Sequence, residues 1–345
     1  MNLFFYSSPY KYYADNLIPI AKFAEARGHN VYASYSEYRS AKISSIRETP
    51  MTKKNKGRRP LLDFLNGDLK VDAAILTQPW WYADNSVATY CIEKGIPLYI
   101  VDHAPPMLYY TEKNGRESHQ YRKKLFQSRA FFGYGKETKR VMKHRGCKEK
   151  IVSIGSPRAE ELVRKVSKIK NSNPKKKGKI AVIYDTSKRM ESKSQSRKIL
   201  GVFDYLSYHE KWTFIIKEHP RSAGWFRGLC KERKNIKLAR EIGEAELLAI
   251  SDLDIFTFPS SIMIFSALCG NKMFSLYGDH DSIDAKDFSN RYKKSIFEFS
   301  SIPFDYKEVS KVHSYKSFLK DHIELHDVPS KLRILNYISK DLSMK

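Results

Sequence analysis

The sequence predicts an α/β protein made of two doubly wound, Rossmann-like domains that face each other across a cleft. Short apolar strands alternate with amphipathic helices along most of the chain. A lysine-rich stretch without apolar periodicity divides this alternation into two series of similar size, and 345 residues suffice for two ordinary domains. We therefore expect domains at 1–168 and 180–345, joined by a linker at 169–179.

The first series begins with an apolar strand at 3–7, a helix over 15–27 and a second strand at 30–35. It continues with strands at 73–78, 97–103, 131–134 and 150–155, and with helices at 84–94 and up to residue 145. Strands that alternate with helices indicate a parallel sheet covered on both faces.

The second series repeats this pattern and ends in a mostly helical tail from about residue 286. Its predicted elements are strands at 179–185, 212–216, 235–239, 253–258 and 272–277, and helices near 191–208, 223–233, 244–250 and 261–269. In such folds, ligands bind at the carboxyl ends of the strands.

The basic excess of the chain is concentrated. Subtracting 38 acidic from 62 basic side chains gives +24, and residues 101–200 alone, with 27 basic and 9 acidic side chains, account for +18. A concentrated excess is typical of a surface for an anionic partner, such as a nucleotide, a nucleic acid or an acidic membrane.

Cysteine spacing and hydropathy indicate a cytoplasmic protein. The four cysteines are widely spaced without a CxxC pair, which favours reduced thiols and no zinc site. There is no signal-peptide pattern, and no apolar run approaches the ~18 residues of a membrane span. Any membrane contact is therefore expected at the inner membrane surface.

One candidate binding segment is WTFIIKEHPRS, where a strand ends in Lys217, Glu218, His219 and, two residues on, Arg221. Two cations and an imidazole just before a predicted helix suit a diphosphate. The alternative is that the His-Pro pair merely ends the strand and the charges are solvated.

A second candidate segment follows the strand at 253–258. Ser260 and Ser261 stand before a helix whose first amides, together with the hydroxyls, can bind an anion. The alternative is ordinary helix capping, but an expected neighbouring strand carrying Lys217 and His219 favours the anion site.

The KEHP segment at 217–220, the aspartate-containing strand that leads to two serines, and the segment IVSIGSPRAEEL at 151–162 resemble GT-B glycosyltransferases. The resemblance spans about 1–280 and is closest to the capsule and teichoic-acid types with CMP- or CDP-activated donors, such as CDP-glycerol transferases. It implies a GT-B fold and a polysaccharide-biosynthesis enzyme that uses a nucleotide-activated donor, with the donor domain second and the acceptor domain first.

The resemblance also implies roles for individual residues. His219, Ser260 and Ser261 are expected to contact the donor's phosphates, and Ser156 and Arg158 to lie near the donor at the interdomain hinge. Where related proteins carry an acid for the ribose, this chain has Ser266, so we expect an acid from the preceding loop instead. The candidates are Glu241 and Glu244.

For an inverting glycosyltransferase, a base must deprotonate the acceptor from the first domain. Asp102 and His103 end the strand PLYIVDH and are the candidates. The alternative is that Asp102 caps a turn and His103 packs beneath a loop; Asp15 is explained as a helix cap. No convincing DxD-like pair is present, so we expect neither a catalytic metal nor a cofactor besides the donor.

The basic segment 105–145 is expected to bind the acceptor because aromatic and cationic residues interleave there. The acceptor candidates are Tyr109, Tyr110, Arg122, Lys123 and Lys124. The leading acceptor is a lipid-linked surface glycan at the membrane. The alternative acceptor is a hydroxymethylated base in DNA. The alternative function is that of a sugar-nucleotide epimerase, which needs no large acceptor. The alternative explanation of the basic segment is a face that is merely solvated.

Overall fold

A computed structural model describes most, but not all, of the chain. The described residues are 1–6, 11–33, 47–48, 70–77, 82–103, 127–144, 147–172, 178–185, 201, 204–205, 208, 211–219, 226, 230–231, 233–239, 241–276, 288, 290–292, 297–298 and 314–344. The chain divides into two compact units. Unit 1 consists mainly of Met1–Pro106, Glu112–Glu161 and Asp321–Lys345, and unit 2 mainly of Leu162–Lys320.

Unit 1 contains a parallel sheet. Its strands are β1 (Asn2–Tyr6), β2 (Asn30–Ala33), β3 (Arg47–Glu48), β4 (Ala73–Leu76), β5 (Leu98–Val101), β6 (Ala130–Gly133) and β7 (Ile151–Ser153). Within the described residues, these seven strands lie in the order β3-β2-β1-β4-β5-β6-β7. The connecting helices are α1 (Lys11–Glu25), α2 (Tyr82–Glu93) and α3 (Lys136–His144), and α4 (Pro157–Ser172) follows β7.

The sequence explains why β1 and α1 form the centre of unit 1. The last four residues of β1 are apolar and buried, as expected for a strand of a parallel sheet covered on both faces. On α1, the buried apolar residues recur at helical spacing and pack on the sheet; they are Ala14, Leu17, Ile20, Ala21 and Ala24.

Unit 2 contains a second parallel sheet. Its strands are β8 (Lys179–Tyr184), β9 (Trp212–Lys217), β10 (Ile236–Leu238), β11 (Leu253–Phe256), β12 (Lys272–Ser275) and β13 (Phe297–Glu298), and two of its helices are α5 (Glu244–Ile250) and α6 (Ile262–Leu268). The described strands lie in the order β10-β9-β8-β11-β12-β13. All of these strands are parallel, but successive strands are added on one side of β8 and then, from β11 onward, on its other side. In unit 1 the same change of side occurs between β1 and β4. Such topological switch points are where ligands bind in these folds.

The C-terminal tail differs from the predicted domain division. Two helices of the described tail residues are α7 (Lys316–His322) and α8 (Ser330–Ser343). The apolar face of α8 is buried in the core of unit 1, and Asp321–Lys345 belongs to that unit rather than to the domain predicted at 180–345. Likewise, α4 continues to Ser172, so residues 169–172 of the predicted linker are helical.

The predicted α/β alternation is confirmed by these parallel sheets. Sequence analysis missed the two-residue edge strands β3 and β13, which are too short to produce a periodic pattern. The helices predicted near 191–208 and 223–233 fall largely outside the described residues. No helix among the described residues is both long and apolar enough to cross a membrane.

Candidate functional site

The carboxyl edge of the unit 1 sheet places Asp102 and His103 directly after β5. The main-chain N–H of Asp102 donates to the carbonyl of Phe132 at 2.9 Å, so the main chain at this residue is still hydrogen-bonded to β6. Its side chain is nearly buried, and its Oδ2 accepts a hydrogen bond from the Thr138 hydroxyl at 3.4 Å. Nδ1 of His103 lies 3.8 Å from Oδ1 of Asp102, which brings the two predicted base candidates together.

The His103 side chain is partly buried, with 26% of it exposed. Burial and, secondarily, the charge of Arg158 lower the pKa of His103 to about 3. The imidazole is therefore neutral at physiological pH. A neutral, partly exposed imidazole beside a carboxylate can accept a proton from a bound hydroxyl.

Ser156 and Arg158 lie at the start of α4. The Ser156 hydroxyl accepts a hydrogen bond from the Ala159 amide at 3.0 Å, and this serine is buried. Its geometry is that of a helix cap, which does not favour the predicted contact with a donor. Arg158 points toward Asp15, with Nε 3.8 Å from Oδ2, and carries the charge that acts on His103.

Sequence reasoning missed Asn16, a fully buried residue of α1. Its side-chain amide donates to the main-chain carbonyl of His103 at 2.7 Å. Its Oδ1 accepts from the hydroxyl of Tyr134, which follows β6, at 3.1 Å. The available signal was a polar residue beside Leu17 and one turn from Ile20, on the apolar face of the helix.

At the carboxyl edge of unit 2, Lys217 ends β9, and Glu218 and His219 follow it directly. Lys217 Nζ donates to the carbonyl of Ile242 at 3.1 Å, and the Glu218 carboxylate accepts from the Phe226 amide at 3.1 Å. Both charged side chains are thus hydrogen-bonded to the main chain of other segments of the fold. His219 is partly exposed at the same strand end, where the sequence predicts a contact with the donor's phosphates.

Ser260 and Ser261 follow β11, at the switch point of unit 2. Both are partly exposed, and the Ser260 hydroxyl accepts a hydrogen bond from the Ile262 amide at 3.3 Å. The expectation that their strand neighbours β9 was wrong, because β8 lies between them. The strand ends are thus about 10 Å apart, at roughly 5 Å per strand. Asp185, which sequence analysis did not single out, follows β8 between them.

The remaining predicted donor residues differ in exposure. Glu241 is exposed and Glu244 partly exposed, so either can reach a ligand. Ser266 is fully buried and donates to Asp254 Oδ2 at 2.6 Å, which gives it a role inside the fold. The other predicted contacts lie outside the described residues: Arg221 for the donor, and Tyr109, Tyr110, Arg122, Lys123 and Lys124 for the acceptor.

The described residues contain no group of three or more His, Cys, Asp or Glu side chains arranged to hold a metal ion.

Comparison with models of known protein families finds no match, and no curated protein matches the sequence. Several solved structures are similar over nearly the whole chain. The wall teichoic acid polymerase TagF is 15% identical with a TM-score of 0.65, over 99% of this chain and 89% of that one. MnaA of S. aureus, solved with UDP, is 11% identical with a TM-score of 0.68, over 100% and 98% of the two chains.

A third similar structure is the UDP-GlcNAc 2-epimerase from Neisseria meningitidis bound to UDP-GlcNAc. It is 11% identical with a TM-score of 0.63, over 98% of this chain and 99% of that one. At such identities the similarity shows the fold, which is the GT-B type predicted from the sequence.

Proposed function

We propose that this chain is a glycosyltransferase that moves a sugar or polyol phosphate from a nucleotide-activated donor to an anionic acceptor. The observation that carries the proposal is the neutral, partly exposed imidazole of His103 beside Asp102, at the carboxyl edge of a sheet in a GT-B fold. Similarity to the teichoic acid polymerase TagF supports the finer proposal that the chain resembles CDP-glycerol transferases.

In this mechanism, His103 is the proton acceptor. The acceptor hydroxyl attacks the donor carbon or phosphorus, the bond to the leaving nucleotide breaks, and the hydroxyl proton passes to the imidazole. Because Nδ1 lies toward Asp102, Nε2 is the nitrogen available for that proton. A pKa of about 3 makes the unliganded imidazole a weak base, but an anionic substrate bound nearby raises the pKa.

On the donor side, we assign the phosphates to His219, Ser260 and Ser261. The Ser260 oxygen accepts from the Ile262 amide, and a hydroxyl in that position still has its own proton to donate to a phosphate oxygen. Glu241 or Glu244 would bind the ribose hydroxyls from the loop and first turn of α5. The proposed sugar transfer inverts the configuration at the donor carbon and uses neither a metal ion nor a cofactor.

An anionic acceptor is supported by the outward face of α3 in unit 1. Four described side chains are exposed on this helix, and all of them are cationic: Lys136, Lys139, Arg140 and Lys143. The acid of α3, Glu137, is buried and paired with Arg140. This face adds to the acceptor segment proposed around Arg122, and a lipid-linked glycan at a membrane surface remains the leading acceptor, with DNA as the alternative.

A second candidate function is a sugar-nucleotide epimerase. The similarity to a UDP-GlcNAc 2-epimerase over 98% of this chain favours it. An epimerase converts its nucleotide sugar without an acceptor, so the cationic face of α3 has no role in that reaction. This difference lets one assay separate the two functions.

The test incubates the purified chain with UDP-GlcNAc and with CDP-activated polyols and sugars, alone or with acceptors. The acceptors are anionic vesicles carrying a lipid-linked glycan, and hydroxymethylated duplex DNA. Acceptor-dependent nucleotide release supports a transferase and identifies its acceptor. Acceptor-independent inversion at C2 of UDP-GlcNAc identifies an epimerase and overturns the transferase proposal.

The donor assignment is tested with His219→Ala. Removing an imidazole that binds phosphate should weaken donor binding at least tenfold by calorimetry, since a hydrogen bond to a charged group contributes about 1.5 to 3 kcal/mol. His326→Ala is the matched control because His326 is an exposed histidine of unit 1, paired with Glu324. Equal donor affinity in both variants would remove His219 from the site.

A further inference from the structure

Asn16 occupies a position where its residue type is unfavourable. It lies inside α1 and is 0% exposed. Asparagine is a weak helix former, and a buried amide must be hydrogen-bonded to be tolerated. A residue that breaks the local rules of its helix marks a place where another requirement dominates.

The contacts of Asn16 identify that requirement. Its amide nitrogen donates to the carbonyl of His103 at 2.7 Å, and its Oδ1 lies 3.1 Å from the Tyr134 hydroxyl and 3.5 Å from the Ser156 hydroxyl. The Tyr134 hydroxyl also lies 3.3 Å from the His103 carbonyl. One buried side chain thus joins α1 to the segments that follow β5, β6 and β7.

We propose that Asn16 and Tyr134 are positioning residues that fix the main chain of His103 and thereby hold its imidazole beside Asp102. The proposal rests on the function proposed above for His103. Neither residue needs to touch a substrate, since both are buried and act through the His103 carbonyl.

The position of His103 explains why it needs such support. At Asp102 the main chain still bonds to β6, through the Phe132 carbonyl. The carbonyl of the next residue, His103, is held instead by two side chains from other segments. Without them the main chain at His103 can move, and a base displaced by even about 1 Å loses much of its effect.

Displacement has a measurable electrostatic consequence. Among the described residues, the ionisable groups around the imidazole are Asp102 at its own strand end, Arg158 of α4 with its partner Asp15 of α1, and Tyr134 after β6. Burial raises the pKa of Tyr134 to about 12, so this phenol stays neutral. Burial, and secondarily the charge of Arg158, lower the pKa of His103 and keep its imidazole deprotonated. Movement into water, away from Arg158, raises the pKa of His103.

The test is an NMR titration of the full chain with ¹³C-labelled histidine, with the His103 signal assigned by its loss in His103→Gln. In the parent, His103 should titrate well below the ordinary value of 6.5. In Asn16→Ala and Tyr134→Phe, the midpoint of the His103 titration should rise by one pH unit or more. Asn271→Ala is the matched control, because it removes another buried amide that donates to a carbonyl, at 2.8 Å, in unit 2.

A purely structural role for Asn16 predicts lower thermal stability in Asn16→Ala and Asn271→Ala alike, with the His103 midpoint unchanged in both. That result would overturn the proposal, as would an ordinary midpoint near 6.5 in the parent. If Asn16→Ala does not fold, Tyr134→Phe decides, because it removes only one oxygen. The titration needs no substrate, so its outcome is independent of whether the transferase assay succeeds.

Once an activity assay is established, kcat/KM can be measured against pH. The acid limb of this profile should move to higher pH in Asn16→Ala and Tyr134→Phe, while donor affinity stays at the parent value. Loss of donor affinity with an unmoved acid limb would contradict a positioning role. The conservative variant Asn16→Gln keeps a side-chain amide, so it should displace the midpoint and the acid limb less than Asn16→Ala does.

Discussion

Each unit buries a polar network against its sheet, but the two networks lie at different points along the strands. In unit 1, the network joins strand ends around His103, which is partly exposed. In unit 2, it centres on Asp254, inside β11 and 0% exposed, whose Oδ2 accepts from Ser266 at 2.6 Å and from Asn271 at 3.0 Å.

Both networks contain a group whose pKa is strongly displaced by burial. The pKa of His103 falls to about 3, and the pKa of Asp254 rises to about 6. Only His103 reaches the surface at the edge where parallel sheets bind ligands. A displaced pKa therefore indicates a functional site only when the group is also accessible to a substrate.

The unit 2 network has an evident structural use. Lys170, in the last turn of α4, donates from Nζ to Asn271 Oδ1 at 3.0 Å and to the Cys269 carbonyl at 3.1 Å. Asn271 in turn donates to Asp254. These hydrogen bonds therefore fasten the end of α4 to the sheet of unit 2, and a buried polar network of this kind rigidifies a core.

The largest expected effect is on the transfer rate, which should fall when the unit 1 network is altered but not when the unit 2 network is. His103→Gln should reduce the transfer rate by about 10² to 10⁴ at saturating donor, since that is the usual contribution of a general base. Asp254→Asn should leave the rate within a few-fold of the parent, because this carboxylate is buried away from the strand ends. A single-turnover assay at pH 7 measures both; comparable losses in the two variants would end the distinction between a catalytic and a structural network.

The free energy of unfolding should depend on pH through Asp254. The folded-state pKa of Asp254 is raised above the ordinary value of 3.8, so its contribution to stability is fully present below about pH 4. It is lost as pH rises through about 6, where the buried carboxyl ionises. Asparagine mimics the protonated form, so Asp254→Asn should gain stability relative to the parent between pH 4 and 7.

The size of this relative gain is bounded by the pKa displacement, at up to about 3 kcal/mol. Urea unfolding at several pH values measures it, with Asn271→Ala as a control that disturbs the same network without removing the titrating group. A parent-to-variant difference that does not change with pH would show that Asp254 stays ionised in the folded protein.

Some residues of these networks could be predicted from the sequence and others could not. Asp102 and His103 were found because a fully apolar strand ends on two polar residues, which is a local signal. Asn16 was missed because its partners His103 and Tyr134 are 87 and 118 residues away in the chain. Asp254 was recognised only as part of a strand motif, since its hydrogen-bond partners Ser266 and Asn271 lie 12 and 17 residues further along the chain.

The fold was predictable to a similar extent. Alternating periodicity gave the parallel sheets, but strand order requires tertiary pairing, and so β8 was not recognised as the strand between β9 and β11. The tail shows the same limit. Its apolar spacing predicts a helix, whereas its packing on unit 1 depends on shape complementarity with α1 and the sheet.

The smallest expected effect is on acceptor binding by the cationic surfaces of the two units. Replacing Lys136, Lys139 and Lys143 of α3 together by Gln should weaken binding to anionic vesicles or duplex DNA about three- to tenfold at moderate salt, because fewer phosphates are neutralised. For duplex DNA, the slope of log affinity against log salt should flatten by about 0.9 for each phosphate that the variant no longer neutralises. Donor affinity should stay unchanged.

The matched control removes the same charge from unit 2, at exposed cations of α4: Arg164, Lys165 and Lys168. If the acceptor binds unit 1, the α3 variant loses affinity and flattens the salt slope more than the α4 variant. If both lose affinity equally, attraction depends on net charge alone, and the assignment of the acceptor to unit 1 fails. The vesicle and DNA arms also decide the acceptor class, because only the true acceptor should distinguish the two variants.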